Sequence, residues 1–118
     1  MTINDHALAA SLAEQAGELL LGLRQDRGFA DARALKDAGD LSSHEFLMAR
    51  LAESRPQDAV LSEEGKDDPV RLDAERVWIV DPLDGTREFS EEGRSDWAVH
   101  VALWERGALV AGAVALPA

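Results

Sequence analysis

Two aspartates three residues apart stand in the run Asp81-Pro82-Leu83-Asp84-Gly85-Thr86. Pro82 fixes one φ angle, and Gly85 permits a backbone conformation that other residues resist. A loop so built at a strand end can aim both carboxylates at one point instead of at opposite faces. Like charges held together repel, and one takes up a proton unless a cation lies between them. Hard oxygen ligands on a rigid turn suit magnesium better than zinc, and the Leu83 carbonyl between the aspartates is a plausible further donor. Glu63 and Glu64 follow another short apolar run. If that run and the one leading into Asp81 lie side by side, Glu63 and Asp81 emerge at neighbouring ends of one sheet. Three carboxylates from two strand ends are enough to hold a pair of metals roughly 3.5–4 Å apart. Thr86 offers a hydroxyl, and the amides of Gly85 and Thr86 can donate to a phosphate oxygen, especially if they open a helix. The chemistry that follows is attack of an oriented water on a phosphate ester.

These groups need elements to position them. Leu8, Leu12, Ala16, Leu19, Leu20 and Leu23 recur at steps of three and four, which predicts an amphipathic helix from about Asn4 to Arg24, with Gly28 suited to the reversal beyond it. A second helix is expected over about Leu41–Glu53, started by a Ser42/Glu45 capping box and stopped before Pro56. Neither holds a cluster of ligand-type residues, so both read as packing elements. The period then changes to that of strands, at Ala59–Ser62, Arg76–Val80, Trp97–Trp104 and Leu109–Leu116. Trp97, Val99, Val101 and Leu103 fall on one side of the third, and Glu105-Arg106-Gly107 is the loop joining it to the fourth. Helices followed by strands predict an α+β layer of helices on a sheet.

Bulk properties narrow the functional classes. The chain has 118 residues, a one-domain length, with 46% apolar residues and a net charge of −11. Residues 63–96 carry twelve acids against five bases, so that third alone holds −7. Such a balance argues against nonspecific nucleic-acid binding, which needs basic surface, but leaves small phosphate esters open because bound cations invert the local sign. No cysteine is present, which removes disulfides, thiolate zinc sites and cysteine nucleophiles. No signal peptide and no membrane-length apolar run is visible, so a cytoplasmic protein is the expectation. The chain ends just after the last strand, which would leave a sheet edge or face uncovered, so a longer parent protein is expected.

Competing readings exist for each feature. An Asp-Pro-x-Asp-Gly run is also good turn chemistry, and a Glu-Glu pair is commonly solvated surface. An EF-hand fails on spacing: counting from Asp81, Leu83 falls third and Gly85 fifth, where acids belong. His6, His44 and His100 are scattered without metal-ligand spacing and read as structural or exposed. Lys66–Asp68 and Glu91–Glu92 read as solvated charge.

Ser62-Glu63-Glu64-Gly65 followed by Trp78-Ile79-Val80-Asp81-Pro82-Leu83-Asp84-Gly85-Thr86 closely resembles the paired signature of the inositol monophosphatase superfamily. The first element there usually reads Gly-Glu-Glu, and serine replaces the glycine here. The resemblance implies a lithium-sensitive phosphatase using two or three Mg2+ ions, with a layered αβαβα sandwich about twice this length. Residues 1–118 would be its N-terminal part, helices plus an antiparallel sheet. The C-terminal half, with a metal-binding aspartate in a Trp-Asp motif, is not represented. By the same resemblance, Glu63, Asp81 and the Leu83 carbonyl would bind a first metal, and Asp81 and Asp84 a second. Thr86 paired with Glu63 would position water. Asp40 would support a further ion through water, helix N-capping being its alternative use, and Lys36 would begin a substrate-side loop. Glu63, Leu83, Asp84, Gly85 and Thr86 would face the substrate. Arg87-Glu88-Phe89 and Asp96–Trp104 look like the 3′(2′),5′-bisphosphate nucleotidase (CysQ-like) branch, which implies 3′-phosphoadenosine 5′-phosphate or its sulfated form as substrate, within sulfate assimilation. An inositol or sugar phosphate is the alternative substrate, and a non-catalytic metal- or phosphate-binding fragment the alternative function. The partners implied are a small phosphorylated substrate, no nucleic acid and no membrane, compatible with a homodimer.

Overall fold

The computed structural model describes residues 4–62 and 74–118. Helix α1 (Asp5–Arg27) starts where Asn4 accepts a hydrogen bond from the Ala7 amide at 2.8 Å, and it stops at Gly28, whose φ of +69° a side chain would oppose. Helix α2 (Ala32–Ser54) begins about nine residues earlier than the sequence suggested. Asp31 caps it through the Ala34 amide at 3.0 Å, and Ser42 lies inside the helix, where a capping box cannot operate. Asp40 is likewise interior to α2, so it caps nothing. The end before Pro56 agrees with the sequence.

Gly39 explains why the early start was hidden. A glycine inside a helix costs about 1 kcal/mol relative to alanine and reads as a break. Here a Cβ at position 39 would meet the Phe89 ring at 2.7 Å and Leu83 Cδ2 at 3.0 Å. The missing side chain lets α2 approach the segment that carries Asp84.

Four strands follow: β1 (Ala59–Ser62), β2 (Arg76–Asp84), β3 (Ala98–Glu105) and β4 (Ala108–Ala115), with a single-turn helix α3 (Thr86–Phe89) between β2 and β3. The sheet order is β1-β2-β3-β4. β1 runs parallel to β2 and the other pairs are antiparallel, so the sheet is mixed and not wholly antiparallel. Arg106 and Gly107, both at positive φ, make the two-residue turn of the β3–β4 hairpin, which matches the strand twist.

Both helices cover one face of the sheet. That face carries Trp78, Val80, Val99, Val101 and Leu103, all buried against α1 and α2. Among the described residues, the opposite face presents Val77, Ile79, Ala102 and Trp104 without helical cover, and Leu109, Val114 and Leu116 are exposed beside it. No helix among the described residues is long and apolar enough to cross a membrane.

At the end of β2 remote from Asp81, charges tie α1, β2, β3 and the α2–β1 connection together. Arg76 contacts Asp5 at 3.0 Å, Asp58 at 3.1 Å and Glu105 at 3.3 Å, while Arg55 reaches Asp5 at 3.1 Å and Trp78 Nε1 donates to Asp58 at 2.9 Å. Burial pushes the Asp5 carboxyl up, but hydrogen bonds from Arg76 and Arg55 outweigh it and leave the group below its ordinary value of 3.8. The folded state therefore binds fewer protons than the unfolded one. Its stabilisation is complete above the ordinary value and is lost as pH falls through the depressed one. Asp5→Asn should lower the unfolding free energy by about 1–2 kcal/mol at pH 7, with the gap to wild type narrowing towards pH 3. Urea titrations at the two pH values check this, and an equal gap at both would refute it.

Candidate metal centre

Asp81 and Asp84 are an odd number of residues apart, so in a regular strand they would point to opposite faces. The structure avoids this with a bulge. Asp81 pairs with His100 and Asp84 with Ala98, so three steps on β2 oppose two on β3. The two intervening residues, Pro82 and Leu83, are both buried. Asp81 and Asp84 thus share the face turned away from the helices. The expected loop is a bulged strand continuation, with the same effect on the carboxylates.

The bulge also brings in a residue that sequence reasoning set aside. His100 Nε2 lies 3.0 Å from Asp84 Oδ2, and one ligand-type atom from each of Asp81, Asp84 and His100 falls within 4.8 Å of the others. His100 therefore stands beside the two aspartates, although the spacing of the histidines in the sequence gave no sign of it. The signal was present in the alternation of residues 97–104, which puts His100 on the side opposite Val99 and Val101. The register that sets it against Asp81 is non-local and was not.

Gly85 follows the bulge at φ +85°, and a Cβ there would meet the Asp96 carbonyl oxygen at 3.0 Å. Both facts demand glycine. It opens α3, whose first residue is Thr86, so the predicted helical opening is present although only one turn long. Phe89 closes that turn in the core, 5.0 Å from the Trp97 ring in an edge-on contact. Arg24 lies over both rings, at 5.6 Å from Phe89 and 5.3 Å from Trp97, and its guanidinium donates to the Glu91 carbonyl at 2.8 Å. Burial lowers the Arg24 pKa from its ordinary value. Arg87 and Arg94 each pair with Glu91, so that acid is salt-bridged at the surface.

β1 and β2 lie side by side in parallel register, Ser62 opposite Val80, as the two-strand reading required. Glu63 and Glu64, and Lys66–Asp68, lie outside the described residues. Asp40 is on α2, where with Asp37, Leu41 and His44 it lines a cavity of about 200 Å3. It is not among the Asp81–Asp84–His100 group. His44 Nδ1 is 2.8 Å from Ser62 Oγ, and Ser43 Oγ donates to the Pro82 carbonyl at 2.7 Å. Helix α2 therefore reaches both strand ends, beyond the packing role its sequence suggested.

A bulged strand presenting two convergent aspartates, then a glycine-opened turn with threonine, is a candidate carboxylate metal centre beside a polar turn. The model of the inositol monophosphatase family matches residues 5–118, and the chain belongs to that family. A "3′-phosphoadenosine 5′-phosphate phosphatase" of Mycobacterium leprae is 59% identical over 98% of this chain and 46% of its own length. The crystal structure of CysQ from Bacteroides thetaiotaomicron superposes with a TM-score of 0.79 at 36% identity, over 94% of this chain and 42% of that one. Mycobacterium tuberculosis SuhB superposes with a TM-score of 0.73 at 31% identity, over 95% and 40%. The chain thus spans less than half the length of these relatives.

Proposed function

We propose that the intact protein is a magnesium-dependent phosphomonoesterase that removes the 3′-phosphate of 3′-phosphoadenosine 5′-phosphate or its sulfated form. The observation that carries this reading is the convergence of Asp81 and Asp84 on one face through the β2 bulge. The 59% identity to a relative named for that substrate supports the substrate class.

The donor set fits a hard divalent cation. Asp81 and Asp84 offer carboxylate oxygens and Leu83 its carbonyl, while His100, at 3.0 Å from Asp84, orients that carboxylate by hydrogen bonding. Glu63, following the end of β1, completes the proposed set. Bound Mg2+ supplies Lewis acidity at the phosphoryl oxygens. The protein's own groups do the rest. The amides of Gly85 and Thr86 oppose the phosphate charge, and the Thr86 hydroxyl with Glu63 orients the attacking water. Asp40 supports a further ion through water. The site acts on a small phosphorylated substrate in the cytoplasm, and lithium inhibits it.

A second reading, an inositol or sugar phosphate as substrate, is favoured by the family's name. Parallel assays of the intact protein with Mg2+ separate the two. The expected result is a kcat/KM for 3′-phosphoadenosine 5′-phosphate at least ~10-fold above that for inositol 1-phosphate, a difference of about 1.4 kcal/mol in transition-state binding. The reverse order would overturn the substrate assignment and leave the chemistry standing.

A further inference from the structure

Consecutive residues of an α-helix point about 100° apart, so a dipeptide can reach two neighbouring strands at once. Ser43 and His44 on α2 do so. The Ser43 hydroxyl, buried, donates to the carbonyl of Pro82 at 2.7 Å, and His44 Nδ1 lies 2.8 Å from the hydroxyl of Ser62. Pro82 sits inside the bulge between Asp81 and Asp84, and Ser62 is the last residue of β1, immediately before Glu63. At Pro82 the sheet is weakly specified by its own ladder. Proline has no N–H to give to a neighbouring strand, and a bulge leaves backbone groups out of register. A side chain from the helix layer replaces what the ladder lacks.

We propose that Ser43 and His44 are positioning residues that clamp the ends of β1 and β2 at a fixed separation, and so set the affinity of the carboxylate centre for its divalent cation. The proposal rests on the phosphatase reading above. Ser62 stands where the family signature usually has glycine, which offers no hydroxyl. The His44–Ser62 half of the clamp is therefore a property of chains with serine at that place. Neither residue is among the proposed metal ligands. Their effect passes through Pro82 to Asp81 and Asp84, and through Ser62 to the end of β1, which pairs with β2.

The test measures Mg2+ binding by calorimetry, without turnover, on the intact protein and on Ser43→Ala, His44→Phe, His44→Asn, Ser62→Gly and the His44→Phe/Ser62→Gly double variant. Thermal unfolding of each metal-free variant is followed alongside. Removing a group that orients metal ligands typically weakens metal affinity by about 10–100-fold, and that range is expected for Ser43→Ala and His44→Phe. His44→Asn should recover most of it, because its amide can both donate and accept near the position of Nδ1. The double variant should be no weaker than the worse of its two single variants, since both remove the same contact. Unchanged affinity in Ser43→Ala and His44→Phe beside a binding wild type overturns the clamp alone. So does an asparagine variant as poor as the phenylalanine one, or a loss that merely follows the melting temperature. A wild type that binds no Mg2+ overturns the phosphatase reading and the clamp together.

Discussion

Asp84→Ala should abolish phosphate release by the intact protein while leaving its fold in place. Asp84 ends β2 with its side chain 59% exposed, so truncation removes little packing, and a surface change of this kind usually shifts stability by no more than about 0.5 kcal/mol. The catalytic loss is of another order. The carboxylate is one of the convergent oxygens proposed to hold a cation, and a cation at a phosphoryl group is worth several kcal/mol of transition-state stabilisation. A loss of about 4 kcal/mol corresponds to a fall of about 10^3-fold in kcat/KM. Asp84→Asn keeps the shape and the contact to His100 but not the charge, so it should fall nearly as far. Phosphate release and urea unfolding, measured on the same preparations, separate chemistry from folding. Turnover within a few-fold of wild type would end the proposal that this aspartate binds the catalytic metal.

The largest effect on stability is expected at Phe89. Its ring is fully buried between α2 and Trp97, and it fills the space left by Gly39. It also forms one of the rings beneath the buried guanidinium of Arg24. Phe89→Ala removes the ring's transfer free energy and leaves a cavity, a loss of about 3–5 kcal/mol. Arg24 loses an aromatic partner in a setting where its Nε already has no hydrogen-bond partner among the described residues. Native domains are stable by only about 5–15 kcal/mol, so the variant should unfold at much lower denaturant than wild type. Phe89→Leu should recover most of the loss, because an aliphatic side chain fills part of the cavity. Because Phe89 closes the turn that Thr86 opens, the alanine variant should also weaken Mg2+ binding. A midpoint for Phe89→Ala within error of wild type would show that the ring is not part of the cooperative core.

Local patterns reported the fold well where one force acted alone. The leucine spacing of α1, the alternation of β3 and the Arg106–Gly107 turn each stand in the structure close to where the sequence put them. The start of α2 was misplaced because two signals conflicted. Ser42 and Glu45 have the spacing of a capping box, and Gly39 looks like a break. The true cap is Asp31, and the glycine is there for the ring of Phe89, a partner fifty residues away.

The site shows the same division. That Asp81 and Asp84 converge was legible from Pro82 and Gly85 between and after them, although the device is a bulge and not a loop. His100 and His44 were passed over because their meaning lies in pairing. His100 matters through its register against Asp81, and His44 through a reach from helix to strand end at Ser62. Neither relation leaves a periodic trace in the chain.

The unequal step count between β2 and β3 makes the centre sensitive to length more than to composition. Parity decides which side of the sheet a given aspartate occupies, and one supernumerary residue resets that parity midway along a single strand. Anyone transplanting this centre onto another scaffold would have to copy the miscount as faithfully as the acids. A host sheet with perfect alternation would turn one of the two inward, into hydrocarbon.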